Sequence, residues 1–289
     1  MTAIDPLRMD LVRERVRAAL EEDGAGRDVT TGFLGLGKRT VVADIRGAEV
    51  LVACGIEVAR EVFRQVDASC RFDARCEDGA RVATDAPLCT IEGSAASIVA
   101  AERTALNFLQ RMCGVATLAS RYVDAVSGTG VVILDTRKTI PLWRELDKYA
   151  VRCGGAHNHR RSLDAMVLVK DNHIRALGGT DALVARLAGA SHDGFVEVEV
   201  ESLDMLRRVA DGRVDRIMLD NFTPAQVGEA MDWVRAFRTS HPQRRIEIEV
   251  SGGVTLETVR DYAQPGVDFI SVGAITHSAP AAPLSLGVR

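Results

Sequence analysis

The sequence predicts an α/β protein whose larger part is an incomplete TIM-like α/β barrel. The chain has 289 residues, which suits a barrel with a smaller companion domain. From residue 131 onward, short apolar runs alternate with helical periodicity, which is typical of βα units and a parallel sheet. No GxGxxG motif follows the first of these runs, so a dinucleotide-binding fold is disfavoured. A doubly wound open sheet remains the alternative architecture.

Periodicity defines the elements in order. The first third mixes helix and strand, with helices predicted at 11–20, 55–66 and 95–118 and strands at 41–45, 49–53 and 87–91. The barrel strands are predicted at 131–135, 165–169, 195–200, 216–219, 246–250 and 269–272. A full barrel of this type has about eight strands, so this one is expected to be small or incomplete.

Composition excludes several classes of protein. Hydrophobic residues make up 47% and charged residues 26%, which is ordinary for a globular chain with a core. The net charge of −4 provides no basic field for nucleic acid or lipid. The chain has neither an apolar run of roughly 20 residues for a membrane span nor the apolar region of a signal peptide. These features predict a cytoplasmic protein that binds neither nucleic acid nor membrane. The six cysteines form no CxxC pair, so reduced thiols are expected.

Polar residues recur where the predicted strands end, and this is the edge of a barrel at which chemistry gathers. They are Asp135-Thr136-Arg137-Lys138, Lys170-Asp171-Asn172-His173, Asp220-Asn221, Ser251-Gly252-Gly253 and Gly273. Backbone N–H groups of the Ser251-Gly252-Gly253 turn could cradle a phosphate, helped by a helix predicted at 255–262. A plain turn is the alternative interpretation of this motif.

The third barrel strand carries alternating glutamates. Glu197, Glu199 and Glu201 alternate with valines, so all three should point to one face of the strand. We expect that face to be the barrel interior, where carboxylates need cations or metals. Glu247 and Glu249 repeat the pattern on the fifth strand. A solvated edge strand is the alternative.

The window 135–175 is locally cationic, with nine Lys or Arg residues against five Asp or Glu. Such a cluster suits a small polyanion bearing phosphates or carboxylates. Arg144, Lys148 and Arg175 fit ordinary helix-surface charge instead. The spacing of His157 and His159 makes zinc conceivable, but no cysteine or third histidine lies at an obvious spacing, so zinc is disfavoured.

Taken together, several ordered motifs resemble the quinolinate phosphoribosyltransferase family over nearly the whole chain. They are Glu22-Asp23 with Asp28-Val29-Thr30-Thr31, Glu102-Arg103-Thr104-Ala105-Leu106-Asn107, Asp135-Thr136-Arg137-Lys138-Thr139, Lys148-Tyr149-Ala150-Val151-Arg152-Cys153-Gly154-Gly155, His157-Asn158-His159-Arg160, Lys170-Asp171-Asn172-His173-Ile174 and Ser251-Gly252-Gly253. No single motif decides the matter, but the ordered set is specific.

The resemblance implies an N-terminal α/β sandwich domain at 1–115 and a catalytic α/β barrel at 116–274, with a tail at 275–289 that packs back on the first domain. It implies a reaction of quinolinate with phosphoribosyl pyrophosphate that gives nicotinate mononucleotide, pyrophosphate and carbon dioxide in NAD biosynthesis. It also implies Mg²⁺ as cofactor and a homodimer with shared active sites.

The resemblance also assigns roles to individual residues. The residues implied to hold quinolinate are Arg103, Arg137, His159, Arg160 and Lys170. Lys138 and Lys170 would also meet phosphate oxygens, and Ser251, Gly252, Gly273 and His277 would hold the 5′-phosphate. Glu199 and Asp220 would lie near the ribose and bind the metal. Lys138, Lys170, Glu199 and Asp220 are the implied catalytic residues.

The chain departs from the family pattern in two loops. Ile140 stands where threonine is frequent, Leu142-Trp143 replaces a Gly-Leu pair, Ser162 replaces a glycine, and Ala165 lies where the family usually has Asp before the strand. A family relative associated with molybdate transport therefore stays open as an alternative. Two rivals come from other classes: a Schiff-base barrel aldolase using Lys170 or Lys138, and a non-catalytic barrel that binds phosphorylated ligands.

Overall fold

The structure is a computed structural model that describes residues 4–189 and 194–289. Its helices are α1 Met9–Asp23, α2 Val29–Leu34, α3 Ile56–Val66, α4 Ala95–Ala125, α5 Arg144–Cys153, α6 Asp171–Leu177, α7 Thr180–Gly189, α8 Leu203–Ala210, α9 Pro224–Ser240, α10 Val259–Tyr262 and α11 Ala274–His277. Its strands are β1 Thr40–Gly47, β2 Leu51–Val52, β3 Arg71–Ala74, β4 Arg81–Val82, β5 Pro87–Ser94, β6 Val132–Leu134, β7 Val167–Val169, β8 Val196–Val200, β9 Arg216–Asp220, β10 Glu247–Ser251, β11 Phe269–Ser271 and β12 Leu284–Val288.

The chain divides into two compact units. The first runs to Ser120 and takes in Ile140–Gly155 and Ile275–Arg289, and the second comprises Arg121–Thr139 and Ala156–Ala274. The predicted boundary between residues 115 and 116 lies within the single helix α4. The domain limits inferred from the sequence stay a prediction.

The first unit is built on an antiparallel sheet of four strands in the order β12-β1-β5-β3. The C-terminal strand β12 pairs with β1, with Ala43 opposite Val288. Helix α3 buries Val58, Val62 and Phe63, at the spacing that brings one helical face together. Strands β3, β4 and β12 were not predicted from the sequence. Strands β3 and β4 have only four and two residues, whereas the LSLGV segment of β12 does alternate apolar with small residues, and this signal was missed.

The second unit is a parallel sheet of six strands in the order β6-β11-β10-β9-β8-β7. All six predicted barrel strands are confirmed to within two residues at each end. From β7 to β11 each new strand is added on the same side, and β6 then follows β11. A doubly wound sheet reverses its strand order at a switch point, so that alternative is wrong. The order is that of a barrel opened between β6 and β7.

The burial of two charged residues differs from the prediction made from the sequence. Lys148 on α5 is completely buried, so its interpretation as a helix-surface charge is wrong. Glu201 follows the last residue of β8 and is exposed, so its predicted inward orientation is wrong as well. Across residues 4–189 and 194–289, the structure contains no helix with both the length and the apolar character needed to cross a bilayer.

Candidate active site

A cavity of about 500 Å³ lies at the carboxyl ends of the parallel strands in the second unit. Its lining residues are Thr136, Arg137, Lys138, His159, Arg160, Leu168, Lys170, Glu199, Met218, Asp220, Asn221, Ser251, Gly252, Gly253 and Ser271. Nine residues proposed from the sequence therefore line one cavity: Arg137, Lys138, His159, Arg160, Lys170, Glu199, Asp220, Ser251 and Gly252. The cavity combines four basic side chains with two carboxylates.

Two of the cations come from the loop after β6. Within this loop the Lys138 backbone N–H donates to Thr136 Oγ1 at 3.1 Å, and the Thr139 N–H donates to the Arg137 carbonyl at 2.9 Å. These local bonds fold the loop back at the strand end, where Lys138 is exposed and Arg137 is half-buried. An exposed ammonium group and a partly buried guanidinium are thus presented side by side.

Lys170 directly follows β7 and is the N-cap of α6. Its Nζ lies 2.6 Å from Oε2 of Glu199, a buried residue of β8. Burial raises the pKa of Asp220, the negative charge of Glu199 raises it further, and Lys170 and Lys138 oppose the increase. The two carboxylates therefore repel each other, and a further cation between them would relieve that repulsion.

His159 and Arg160 are held by hydrogen bonds from several directions. Asp135, completely buried after β6, accepts the His159 N–H at 2.8 Å and Asn158 Nδ2 at 2.7 Å. The Arg160 N–H donates to His159 Nδ1 at 2.7 Å, and the His159 Nε2 lies 3.2 Å from Glu197 Oε2. Burial, followed by the neighbouring charge of Arg137, lowers the pKa of the Arg160 guanidinium. Both ring nitrogens of His159 thus contact protein groups.

Beneath the cavity lie two fully buried carboxylates. Burial is the main cause that raises the pKa of Glu197 and of Glu249 to about 7. Arg216 Nη1 lies 3.1 Å from Glu249 and 4.0 Å from Glu197, and its guanidinium also stacks over the Phe269 ring. The interior orientation predicted for these two glutamates and for Glu199 is confirmed by their burial. Sequence reasoning missed Arg216, which begins β9 at the opposite end from the cavity.

The Ser251-Gly252-Gly253 turn requires glycine. Gly252 has φ of 91° and Gly253 has φ of 65°, and a Cβ on Gly252 would lie 2.2 Å from Asn221 Oδ1. Consecutive N–H groups in such a turn can form an anion-binding concavity. The helix predicted at 255–262 is wrong in its start, because α10 spans only Val259–Tyr262. Support for a phosphate at this turn therefore comes from the backbone of the turn and not from a helix N-terminus.

Three proposed residues lie outside the cavity lining. Gly273 lies between β11 and α11, His277 is exposed with its Nδ1 2.5 Å from Ser278 Oγ, and Arg103 is exposed on α4 in the first unit. Their binding roles stay predictions. His157 is exposed whereas His159 is buried among carboxylates, so the two histidines do not share one environment as a zinc pair would.

A parallel barrel whose carboxyl edge gathers four cations, two carboxylates and a glycine turn defines an enzyme-type site for a phosphorylated, polyanionic substrate. The profile described as quinolinate phosphoribosyl transferase, C-terminal domain, matches residues 115–287. The corresponding N-terminal domain profile matches residues 28–113.

Individual relatives agree with the profiles. The chain is 39% identical over 272 residues to the nicotinate-nucleotide pyrophosphorylase [carboxylating] of Mycobacterium leprae, covering 93% of this chain and 94% of the relative. It is 39% identical over 285 residues to the chloroplastic enzyme of that name from Arabidopsis thaliana, covering 94% and 81%. The solved structure of the nicotinate-nucleotide pyrophosphorylase from Francisella tularensis aligns with a TM-score of 0.90 at 37% identity and covers 100% of both chains. The chain belongs to the quinolinate phosphoribosyltransferase family.

Proposed function

We propose that this chain transfers the phosphoribosyl group of phosphoribosyl pyrophosphate to quinolinate and decarboxylates the product. The products are nicotinate mononucleotide, pyrophosphate and carbon dioxide, and the reaction serves NAD biosynthesis. The single observation that carries the proposal is the cavity in which Arg137, Lys138, Arg160 and Lys170 meet Glu199 and Asp220. Quinolinate carries two carboxylates and its partner a pyrophosphate, and this is the charge that such a cluster matches.

Quinolinate binding is assigned to the cations of the cavity. Arg137, Arg160 and Lys170 would receive its carboxylates, with His159 on the cavity wall and Arg103 supplied from elsewhere in the assembly. Planar guanidinium groups suit carboxylates because they donate two parallel hydrogen bonds. The 5′-phosphate is assigned to the Ser251-Gly252-Gly253 turn, together with Gly273 and His277.

The chemistry follows from the same side chains. Departure of pyrophosphate leaves an oxocarbenium-like ribose, whose positive charge Glu199 and Asp220 would stabilise. Lys138 and Lys170 would neutralise the departing pyrophosphate oxygens. The ring nitrogen bonds to the ribose and becomes positive, so it can accept the electron pair released when the adjacent carboxylate leaves as carbon dioxide. A proton then replaces the carboxylate on the ring carbon.

Glu199 and Asp220 would hold Mg²⁺. The fit rests on their oxygen donors and on the pKa of Asp220, which burial raises and the neighbouring charge of Glu199 raises further. Magnesium commonly binds through one or two carboxylates plus substrate phosphates, and it would supply neutralisation of the pyrophosphate charge here. The working form is proposed to be a cytoplasmic homodimer with shared active sites, in which Arg103 of one subunit serves the barrel of the other.

The test is release of pyrophosphate and carbon dioxide with quinolinate against nicotinate. Because a partly desolvated cation left without its carboxylate costs about 1–3 kcal/mol, quinolinate should be preferred at least about tenfold. Equal turnover of the two acids would contradict this specificity. An aldolase would instead be trapped by borohydride with a keto substrate, and we expect no trapping because Lys170 Nζ is engaged by Glu199 at 2.6 Å.

A further inference from the structure

His159 is held on both sides of its ring. Its Nδ1 accepts a hydrogen bond of 2.7 Å from the Arg160 backbone N–H. A neutral imidazole carries its proton on one nitrogen only, so an accepting Nδ1 places the proton on Nε2. That N–H faces the Glu197 carboxylate, whose Oε1 accepts it at 3.5 Å while its Oε2 lies 3.2 Å from Nε2. Glu197 is thus the acceptor that holds the ring in this tautomer and orientation.

Glu197 is itself immobilised. It is completely buried on β8, and Arg216 Nη1 lies 4.0 Å from its Oε2. Glu249 shares the same surroundings, 3.6 Å from the His159 Nε2 and 3.1 Å from Arg216 Nη1. The Phe269 ring lies 4.0 Å from the Arg216 guanidinium carbon. A buried chain of charged side chains therefore leads from Arg216, at the start of β9, through Glu249 and Glu197 to the His159 ring.

His159 also connects this chain of charged side chains to Arg160, one of the cations assigned to quinolinate. The His159 main chain is tied by Asp135, which directly follows β6 and precedes Arg137 and Lys138. The His159 ring in turn fixes the main chain of Arg160, and the Met166 carbonyl accepts from the Arg160 guanidinium at 3.3 Å. The position of Arg160 relative to Arg137 thus depends on His159, whose ring is held by Glu197.

We propose that Glu197 is a positioning residue for quinolinate, acting through His159 on Arg160. The inference rests on the proposed function, because the ligand of Arg160 is the quinolinate carboxylate. Glu197 does not line the cavity, and its contribution is a hydrogen-bond acceptor and not a charge offered to the substrate. The assignment extends the site to a residue that lies behind the lining residues.

Two variants separate the acceptor from the charge. Glu197→Gln and Glu197→Met both remove the negative charge and keep the approximate volume, but only Gln retains an oxygen that can accept from His159. For Glu197→Met we expect the quinolinate Kd, measured by calorimetry, and the KM for quinolinate to rise at least about fivefold. The KM for phosphoribosyl pyrophosphate should stay within about twofold of the wild-type value, and Glu197→Gln should restore most of the loss. Equal losses in both variants would mean that charge, not positioning, is responsible.

Two further comparisons make the result specific. Glu247 also pairs with Arg216, at 2.8 Å, so Glu247→Met disturbs the same cation and should leave quinolinate binding unchanged. In a His159→Ala background, Glu197→Met should add no further loss, because the route to Arg160 is already cut. Additive losses would overturn the proposal.

A measurement on the wild-type protein tests the tautomer of His159 directly. The ¹⁵N spectrum of the imidazoles, with His159 assigned by its disappearance in His159→Gln, should show protonation at Nε2. Protonation at Nδ1 would refute the geometry on which the proposal depends. Failure of the proposed function would look different, because the wild type would then neither bind quinolinate nor release pyrophosphate.

Discussion

Lys170 Nζ lies 2.6 Å from Glu199 Oε2, and this ion pair joins the carboxyl ends of two neighbouring parallel strands. The glutamate side chain is 8% exposed and the lysine side chain 43% exposed, so the carboxylate is fixed and the cation borders the cavity. Because the glutamate is desolvated, removing its lysine partner leaves a buried charge unpaired, which costs more than breaking a surface pair. The pair is therefore expected to matter for both structure and turnover.

Replacement of Lys170 tests this relationship. Lys170→Met should lower kcat/KM for quinolinate at least about 100-fold, because it removes a substrate cation and leaves Glu199 unpaired beside Asp220. Steady-state pyrophosphate release measures the effect. Arg175 on α6 is the matched control, because its side chain is 70% exposed and pairs only locally with Asp171, so Arg175→Met should change kcat/KM less than about twofold. Similar losses in the two variants would remove the special role of Lys170.

Asp220 tests the proposed metal site. Asp220→Asn keeps the shape but removes a hard oxyanion ligand, so the Mg²⁺ concentration for half-maximal activity should rise at least about tenfold with the fold intact. Circular dichroism and a magnesium titration of pyrophosphate release measure the two effects. Glu201→Gln is the control, since Glu201 is exposed just beyond the end of β8. Full wild-type activity in excess chelator would contradict metal dependence itself.

The buried glutamates illustrate what sequence periodicity can predict. Alternation with valine placed Glu197 and Glu199 on one face of a strand, and the structure buries both. The same alternation wrongly predicted that Glu201 points inward, because periodicity does not mark the residue at which a strand ends. Arg216 was not predicted, because it begins a strand and functional residues of such barrels are expected where the strands end.

Long-range pairing limited the prediction elsewhere. Strand β12 has the sequence LSLGV, and it is ordered by β1, a partner more than two hundred residues earlier in the chain. Nothing local identifies that partner. Likewise, the bond from the His159 N–H to Asp135 joins two motifs that were recognised separately. Their order along the chain was visible, whereas the hydrogen bond that couples them needed coordinates.

Leu142 occupies a backbone conformation that suits glycine. Its φ is 66°, and it stands where the family pattern has a glycine. The left-handed region costs a residue with a Cβ about 1–2 kcal/mol, whereas glycine loses about 0.5–1 kcal/mol in added unfolded-state entropy. Because Leu142 is 84% exposed and packs little, Leu142→Gly should raise the free energy of unfolding by about 0.5 kcal/mol. Urea denaturation measures the change.

The control for Leu142 is another exposed leucine. Leu163 is 71% exposed and is not among the positive-φ residues of the described chain, so Leu163→Gly should be neutral or destabilising. A destabilised Leu142→Gly variant would show that side-chain contacts outweigh backbone strain there.

Acid should weaken the attachment of the C-terminal strand. Burial raises the pKa of Asp44, but hydrogen bonds from Arg46, Arg289 and Thr90 outweigh it and lower the pKa to about 2. The ordinary value is about 3.9, so the ionised group stabilises the fold at neutral pH by about 2 kcal/mol. Because the folded pKa is the lower one, this stability is present above about pH 4 and is lost as the pH falls towards 2.

The pH effect can be isolated by comparing free energies of unfolding. The difference between wild type and Asp44→Asn should be largest near neutral pH and should shrink steadily below about pH 4. Asp73 provides a control in the same sheet, because its ion pair with Arg75 has both side chains 45% exposed, and Asp73→Asn should differ little from wild type at any pH. A difference for Asp44→Asn that does not vary with pH would exclude the charged carboxylate as its cause.

Arg103 provides the test of shared active sites. It is exposed on α4 in the first unit, whereas the cavity cations belong to the second unit. If Arg103 serves the partner's barrel, two inactive variants, Arg103→Ala and Lys138→Ala, should complement each other after subunit exchange. A mixed dimer then has one site with both groups intact and one site with neither. Random exchange makes roughly half of the dimers mixed, so roughly a quarter of wild-type activity should return.

The control mixes Lys138→Ala with Lys170→Ala. Both residues line the same barrel cavity, so each barrel in the mixed dimer keeps one defect and no activity should return. Differently tagged subunits and a pull-down establish that exchange has occurred in both mixtures. Activity restored only in the Arg103 mixture means that the arginine crosses between subunits. If exchange is complete and the Arg103 mixture stays inactive, the arginine acts within its own subunit or takes no part in the reaction.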